Sequence, residues 1–169
     1  MKVLIANFIT KGNRYLIDFQ KGLESYADVV WDYEEFWKCE NDYDIVHIHW
    51  PEFLSYEVQN YLWTTDPFPK QLFNQIENCL KYWKQHATII YTRHNQHPHL
   101  RHDKDYLNLY RMVTSYCHTV VHFANYSIEQ FKSWYPEHQG ITHVVIPHHN
   151  YAAMKNVSSQ HEARQHLNI

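Results

Sequence analysis

The sequence predicts an α/β protein with a doubly wound parallel sheet. Short apolar runs recur along the 169-residue chain, as they do in strands that are buried on both faces of a sheet. Segments with apolar residues at helical spacing lie between these runs. Strands that alternate with helices in this way are typical of a parallel sheet that is covered by helices.

Six of the apolar runs are predicted to be strands. The first, KVLIA, is apolar after its initial lysine, which is the composition of a strand that is buried on both faces. In chain order the predicted strands are 2–6, 27–31, 44–49, 87–92, 119–123 and 142–147.

Helices are predicted between several of these strands. One covers about 14–25, and a second begins at Pro69, a residue favoured at helix starts, and continues to His86. A third covers about 104–117. The predicted buried residues are Leu16, Phe19 and Leu23 in the first helix, and Leu107, Tyr110, Val113 and Cys117 in the third.

Other connections have weaker patterns. Ser127 and Gln130 form a capping-box pattern that predicts a helix over Ile128–Trp134, which Pro136 ends. The acidic stretch DYEEFWKCENDYD (32–44) is expected to be a solvated connection. The segment after it, rich in Tyr and Trp, has no assignable pattern.

The end of the chain differs from the rest. After Tyr151 the sequence is polar, and Ser159 with Glu162 then forms a capping box that opens a short helix. Two alternatives stay open: this helix folds back on the sheet, or it begins a second domain. The predicted organisation is one domain over 1–151, followed over 152–169 by a linker and the start of a domain that this chain lacks.

Composition excludes several classes of function. The net charge of −3 gives no reason to expect nucleic acid as a partner. The three glycines, Gly12, Gly22 and Gly140, are too far apart in the sequence to form GxGxxG or a P-loop. Neither GxSxG nor HExxH occurs. No apolar run has transmembrane length, and three cysteines without CxxC spacing favour a reducing compartment. We therefore expect a cytoplasmic protein.

Histidines follow four of the predicted strands. The segments are IVHIHWPEF (45–53), IIYTRHNQHPH (89–99), TVVHFANYS (119–127) and HVVIPHHNY (143–151). Because open α/β sheets bind ligands at the carboxyl ends of their strands, a polar-ligand or catalytic crevice is expected there. HxH pairs could also hold a transition metal, but no Cys or carboxylate stands at matching spacing, so no metal is expected.

These four segments, in this order, resemble the N-terminal half of GT-B glycosyltransferases, especially the retaining family 4 type. The closing SSQHEARQHLNI resembles the opening of that family's second domain, so the resemblance spans essentially the whole chain. It implies a Rossmann-like, acceptor-side domain whose missing C-terminal partner domain holds the sugar nucleotide. The implied reaction transfers a sugar from that donor to a glycan or lipid-linked acceptor, without a further cofactor. Some relatives contact the inner face of the membrane peripherally. Without the donor domain, this chain is expected to be inactive alone.

The resemblance also implies roles for individual residues. His94 matches a histidine that hydrogen-bonds the donor sugar. One departure is that the family often has paired glycines in the loop after the first strand, whereas Gly12 stands alone. The other matches are Lys11, Gly12 and Asn13 in that loop, which contacts acceptor or donor phosphates, and His148 and Tyr151 before the hinge.

Side-chain chemistry adds further candidates at the strand ends. Arg93 could clamp a phosphate or carboxylate, or it could be solvated. Trp50 could stack on a sugar face, or it could pack in the core or at the rim. His47 is expected to be a core histidine with a satisfied hydrogen bond, and Ser127 a helix N-cap. The remaining candidates are His49, Asn95 and His122.

Two other function classes stay open from the sequence. One is a stand-alone binding module whose histidine edge holds a metal or a small anionic ligand. The other is a partner subunit of a split transferase, with the catalytic half on another chain.

Overall fold

The computed structural model describes residues 1–8, 13–40, 42–101, 103–148 and 158–168. Within these residues the chain forms a six-stranded sheet in which every pairing is parallel. The predicted α/β fold is therefore confirmed, and each predicted strand is present with slightly shorter bounds. The strands are β1 (Lys2–Ile5), β2 (Asp28–Trp31), β3 (Ile45–Ile48), β4 (Thr88–Thr92), β5 (Thr119–His122) and β6 (Thr142–Val145).

The order of the strands places a switch point in the middle of the sheet. The order is β2-β1-β3-β4-β5-β6, so β1 pairs with both β2 and β3. The chain moves outward from β1 to β2, returns to β3, and then continues in the other direction. Open α/β sheets have their binding crevice at the carboxyl ends of the two strands where this direction reverses. Here those strands are β1 and β3.

Helices connect the strands in the described residues. The three long helices predicted from periodicity (α1, α4 and α5) are confirmed, and Pro69 directly precedes the first residue of α4. Short 3-10 turns flank α3 at Pro51–Phe53 and Tyr61–Trp63. The helices are α1 (Arg14–Leu23), α2 (Tyr33–Lys38), α3 (Tyr56–Asn60), α4 (Lys70–His86), α5 (Lys104–Tyr116), α6 (Asn125–Trp134) and α7 (Gln160–Leu167).

The two faces of the sheet are unequal. The main core packs α2, α4, α5 and α6 on the face that presents residues such as Val46, Ile48 and Tyr91. The opposite face presents His47 to α1, where the Phe19 ring meets it edge-on at 4.9 Å. Side chains alternate along a strand, so consecutive residues contribute to opposite faces. This alternation later divides the candidate site residues.

The buried faces of the first and third predicted helices need correction in detail. In α1, Leu16 is buried, whereas Phe19 and Leu23 are only partly covered. In α5, Tyr110, Val113 and Cys117 are buried as predicted, but Leu107 is 39% exposed. Tyr106 and Leu109 are fully buried in its place, because the face of α5 that meets the sheet is rotated relative to the predicted one.

The acidic stretch 32–44 is not a solvated connection, and this prediction was wrong. It contains α2, whose single fully buried residue is Phe36. The indole Nε1 of Trp83 donates to the Phe36 carbonyl oxygen at 2.8 Å and so attaches α2 to α4. Trp37 of the same helix packs against the core, and its Nε1 donates to the Leu54 carbonyl oxygen at 2.7 Å. Two aromatic residues therefore dock this six-residue helix.

Replacing the N-cap of α2 is expected to lower stability by about 1 kcal/mol. Asp32 Oδ1 accepts a hydrogen bond from the Glu34 backbone N–H at 2.8 Å, and Asp32→Ala removes that acceptor. Urea denaturation measures the change in unfolding free energy. Asp42→Ala, at an exposed acidic residue of the same stretch, is the matched control and should change it by less than about 0.5 kcal/mol. Equal losses in both variants would contradict the capping role.

The start of α6 also differs from its prediction. The helix begins at Asn125 rather than at Ile128, and it has no side-chain N-cap at Ala124. Ser127 therefore lies inside the first turn and is not an N-cap. Its hydroxyl group is engaged by Arg93 and His122, and a hydroxyl used in this way is not free to cap a helix.

The C-terminal helix α7 has the predicted capping box. Ser159 Oγ accepts from the Glu162 backbone N–H, and the Glu162 carboxylate accepts from the Ser159 backbone N–H. No residue of α7 is buried, and Leu167 is 64% exposed. The structure thus does not show this helix packed onto the sheet. Across the described residues, no helix combines the length and the apolar character needed to cross a membrane.

Candidate ligand site at the carboxyl ends of the strands

Aromatic and imidazole rings gather at the carboxyl ends of β3, β4 and β5. The His94 ring stacks on Trp50, with centroids 4.1 Å apart and an interplanar angle of 23°. Tyr15 of α1 meets the His94 ring edge-on at 4.7 Å, and Phe123 lies 5.1 Å from it. His148 is 5.0 Å from both Tyr15 and Phe123. We call this set the edge cluster: Tyr15, His49, Trp50, His94, Phe123 and His148.

His94 is held more tightly than its polar sequence context predicts. Besides the stack on Trp50, its Nε2 lies 3.1 Å from Nδ1 of His49, which is a hydrogen-bond distance. Burial, and then the neighbouring His148 and His47, lower the pKa of His94 to about 3. The ring is therefore neutral at pH 7, with one nitrogen that donates and one that accepts.

His49 is fully buried beneath His94. Its ring stacks on His47 at 4.3 Å, and burial lowers its pKa well below the usual value. His47 itself bonds Thr92 Oγ1 through Nε2 at 2.8 Å, which confirms the core histidine predicted at that position. Both rings of this HxH pair lie on one face of the strand, as the alternation of side chains requires.

Asn7 is a site residue that the sequence reasoning missed. Its side chain is fully buried, and its Oδ1 accepts from the His49 backbone N–H at 2.8 Å. Its Nδ2 donates to the Trp50 carbonyl oxygen at 2.8 Å, so one amide joins the ends of β1 and β3 at the switch point. The available signal was an asparagine directly after the first apolar run. Tyr15, Phe19 and Phe123 were also missed, because aromatic residues near strand ends are common in cores.

The structure divides the predicted candidates between the two faces of the sheet. His49, Trp50, His94 and His148 belong to the edge cluster. Arg93 and His122 lie on the opposite face, against α6, because each stands next in sequence to a residue of the edge cluster and side chains alternate. One face of the Trp50 ring packs against His94, so that face is used for packing within the protein, the second of the two alternatives given for this residue.

Arg93 belongs to a chain of hydrogen bonds under α6. Its Nη1 donates to both Oγ and the carbonyl oxygen of Ser127 at 2.8 Å, and its Nη2 donates to Gln130 Oε1 at 2.9 Å. Because a guanidinium can only donate, the Ser127 hydroxyl is free to donate to His122 Nδ1, 2.8 Å away. His122 Nε2 lies 3.0 Å from His143 Nδ1, which is also a hydrogen-bond distance.

These hydrogen bonds limit the roles that Arg93 and His122 can have. Arg93 is 6% exposed, so the solvated alternative is wrong. Three of its hydrogen bonds are already directed at α6, which makes it a connector between β4 and α6. Burial, and then the nearby His143, lower the pKa of His122 to about 4, so this ring is neutral as well.

Replacing Arg93 is expected to destabilise the protein by about 2 kcal/mol, because the Arg93 guanidinium is buried, and partly buried acceptors on α6 would lose their donor. The variant Arg93→Met keeps the length of the side chain and removes the guanidinium. Arg111→Met is the matched control, since Arg111 is half exposed and pairs with the half-exposed Glu137. Such surface pairs contribute less than about 1 kcal/mol. Urea denaturation measures the unfolding free energy of both variants. An equal decrease in the two variants would contradict a connecting role for Arg93.

The remaining candidates lie at the margin of the site or outside the described residues. Asn13 caps α1, because its Oδ1 accepts from the Leu16 backbone N–H at 3.2 Å. Asn95 is partly exposed beside His94. Lys11, Gly12 and Tyr151 lie outside the described residues.

A cavity of about 940 Å³ lies at the other edge of the sheet, near the first residues of β5 and β6. Its charged lining groups are engaged with protein atoms: Arg111 with Glu137, and Lys84 with the Cys117 carbonyl oxygen. The edge cluster does not contribute to it. Because parallel sheets bind ligands at the carboxyl ends of their strands, the edge cluster is the candidate functional site and this cavity is not.

Among the described residues, no group of three or more His, Cys, Asp or Glu side chains is arranged to hold a metal ion. The imidazole pairs at hydrogen-bond distance, His49 with His94 and His122 with His143, bond to each other directly.

No protein-family model, curated protein or solved structure matches the chain significantly. The fold and the geometry of the edge cluster are therefore the structural features that bear on function. The fold is a doubly wound parallel sheet, and the cluster places neutral imidazoles among aromatic rings beside its switch point.

Proposed function

We propose that this chain is the acceptor-side half of a glycosyltransferase, which transfers a sugar from a sugar nucleotide to a glycan or lipid-linked acceptor. The observation that carries the proposal is the His94–Trp50 stack, held from below by His49 at the carboxyl ends of β3 and β4. The sequence resemblance contributes the class of reaction. The sugar nucleotide is a substrate here, held by a donor domain outside these 169 residues.

The chemistry of the edge cluster suits a neutral, polyhydroxylated ligand. A neutral imidazole can donate to one hydroxyl group or accept from another. The rings of Trp50, Tyr15 and Phe123 offer apolar surface of the kind that packs against the C–H face of a pyranose. Among its described residues the cluster has no lysine or arginine, since Arg93 faces α6. The neutral state of His94 and His49 favours a sugar over the small anion of the alternative binding-module hypothesis.

In the proposed reaction His94 hydrogen-bonds a hydroxyl of the transferred sugar when the two domains close. Charge develops on the sugar ring as the nucleotide departs and the transition state becomes oxocarbenium-like. A preorganised hydrogen bond that strengthens with this charge lowers the barrier more than it tightens ground-state binding. The stack on Trp50 and the bond to His49 hold the ring in place before substrate arrives.

Binding of acceptor sugars by the 169-residue chain tests the ligand class. Saturation-transfer NMR with a panel of neutral oligosaccharides is expected to find binders that Trp50→Ala loses. Trp63→Ala is the matched control, because Trp63 is 68% exposed and lies in the short turn after α3. The absence of any binder in a broad panel, or equal binding by both variants, would contradict the proposal.

Turnover tests the reaction class. The 169-residue chain, incubated with a panel of sugar nucleotides and acceptors, is expected to show no transfer. Joined to or mixed with the donor half, it should give a glycosylated product detectable by mass spectrometry. A donor half on a separate chain would support the split-transferase alternative. Turnover by the 169-residue chain alone would refute the proposal that a separate donor half is needed for sugar transfer.

A further inference from the structure

The His49–His94 pair has a feature that its packing role leaves unexplained. His49 Nδ1 and His94 Nε2 are 3.1 Å apart, so one of them donates and the other accepts. His49 Nε2 is buried and has no hydrogen-bond partner among the described residues. Buried polar atoms without partners are uncommon and costly, so this one requires a physical account.

Two placements of the protons are compatible with the hydrogen bond between His49 and His94, and they differ in whether His49 Nε2, the orphan atom, carries a proton. In the first, His49 Nδ1–H donates to His94, and the orphan Nε2 carries only a lone pair. In the second, His94 Nε2–H donates to His49, and the orphan becomes a buried N–H. Orphaned buried N–H groups are rarer in proteins than under-satisfied acceptors. The first arrangement is therefore the one that the burial of His49 selects.

The contacts of His49 restrict the rotation of its ring. Its backbone is held by Asn7, and its ring contacts both the stacked His47 ring and the edge-on Phe19 ring, 4.8 Å away. A ring flip would take Nδ1 away from His94 and break the one hydrogen bond that the imidazole makes.

We infer that His49 is a positioning residue that holds His94 in the Nδ1–H tautomer, so that His94 offers an N–H donor to a ligand hydroxyl. The nitrogen that bears the proton in a neutral histidine is set by the hydrogen bond at the other nitrogen. Among the described residues, His94 Nδ1 has no hydrogen-bond partner, so it remains for a ligand. The ligand part of this inference rests on the proposed function, whereas the tautomer does not.

The tautomer can be measured directly in the 169-residue chain. Long-range ¹H–¹⁵N correlation spectra of histidine-labelled protein at neutral pH distinguish the two neutral tautomers. The spectrum of His94→Gln assigns the His94 signals by their loss. The expected pattern for His94 in the wild-type protein is the Nδ1–H tautomer. The Nε2–H tautomer, which neutral histidine favours in water, would overturn the inference without the need for any variant.

A pair of variants separates hydrogen bonding from packing. His49→Phe keeps a ring in the cluster and removes the donor, so His94 should move toward the Nε2–H tautomer. Phe19→Leu alters packing on the same ring without touching a hydrogen bond, so His94 should stay Nδ1–H. An unchanged tautomer in folded His49→Phe, or an equal change in both variants, would refute the positioning role.

Turnover in the presence of the donor half links the tautomer to the reaction. His49→Phe is expected to lower kcat about tenfold while leaving KM for the acceptor nearly unchanged, as loss of an interaction made only in the transition state does. A rise in KM with unchanged kcat would overturn this link. If no sugar transfer is found with any donor half, the proposed function fails and the tautomer assignment stands on the NMR result alone.

Discussion

The unfolding free energy of this protein is expected to fall by at least about 4 kcal/mol between pH 7 and pH 5, a large share of the stability of a typical domain. Buried histidines produce the loss. Burial lowers the pKa of His47 and of His94 to about 3, and that of His122 to about 4.

The sign follows from the proton balance. In the unfolded chain these imidazoles titrate near pH 6.5, whereas in the folded protein they stay neutral until pH 3–4. Below pH 6.5 the unfolded state therefore binds more protons, and acid favours it. Each of the three histidines costs about 2 kcal/mol between pH 7 and pH 5, and His49 acts in the same direction.

Glu52 opposes part of this effect. Its carboxyl group is buried and bonded to the Tyr110 hydroxyl at 2.7 Å, and burial raises its pKa to about 7. Between pH 7 and the ordinary carboxyl range the folded state takes up this proton, which stabilises it by about 2 kcal/mol at pH 5. The three histidines outweigh the one carboxyl group.

Urea denaturation at pH 7, 6 and 5 measures the pH dependence, and two variants at neighbouring positions test its source. His47→Gln keeps a polar side chain toward Thr92 but does not titrate, so its pH-dependent loss should be about 2 kcal/mol smaller than that of the wild type. Val46→Ala lowers stability at every pH and should leave the pH-dependent loss unchanged. A wild-type stability that is flat across this range would contradict the neutral, buried histidines.

Replacing His94 by alanine is expected to lower the rate of sugar transfer by about 30- to 1,000-fold in the assembled enzyme. This corresponds to about 2–4 kcal/mol of lost transition-state stabilisation, the range for removal of one preorganised donor. His86→Ala is the matched control, because His86 is exposed at the end of α4 and remote from the edge cluster. Its activity should match that of the wild type.

Stability must be measured in the same experiment. The polar sequence around His94 predicts almost no stability cost, but the structure predicts about 1–2 kcal/mol, because the stack on Trp50 and the bond to His49 are both lost. His94→Phe retains a ring on Trp50 and separates the two effects. It should recover part of the stability and none of the activity. Normal turnover in stable His94→Phe would remove His94 from the reaction.

The sequence by itself determined the fold class and most of the elements. Apolar runs of four to six residues are local signals, and they located the six strands and the helices α1, α4 and α5. The same periodicity failed for α2, where two aromatic residues, Phe36 and Trp37, decide the outcome among charged neighbours. The docking of Phe36 depends on Trp83, which lies 47 residues away and cannot be read from the local pattern.

The candidate site was determined only in part. The histidines at the strand ends predicted that side chains from separate strands meet at one edge of the sheet, and His49, Trp50, His94 and His148 do meet there. Arg93 and His122 were assigned to the same site, and only the tertiary structure showed that they face α6. Alternation along a strand predicts that neighbours such as Arg93 and His94 point to opposite faces of the sheet. Which face carries α1 and which carries α6 depends on the order of the strands and on the crossover connections. Those are set by long-range packing, which acts between segments far apart in the chain.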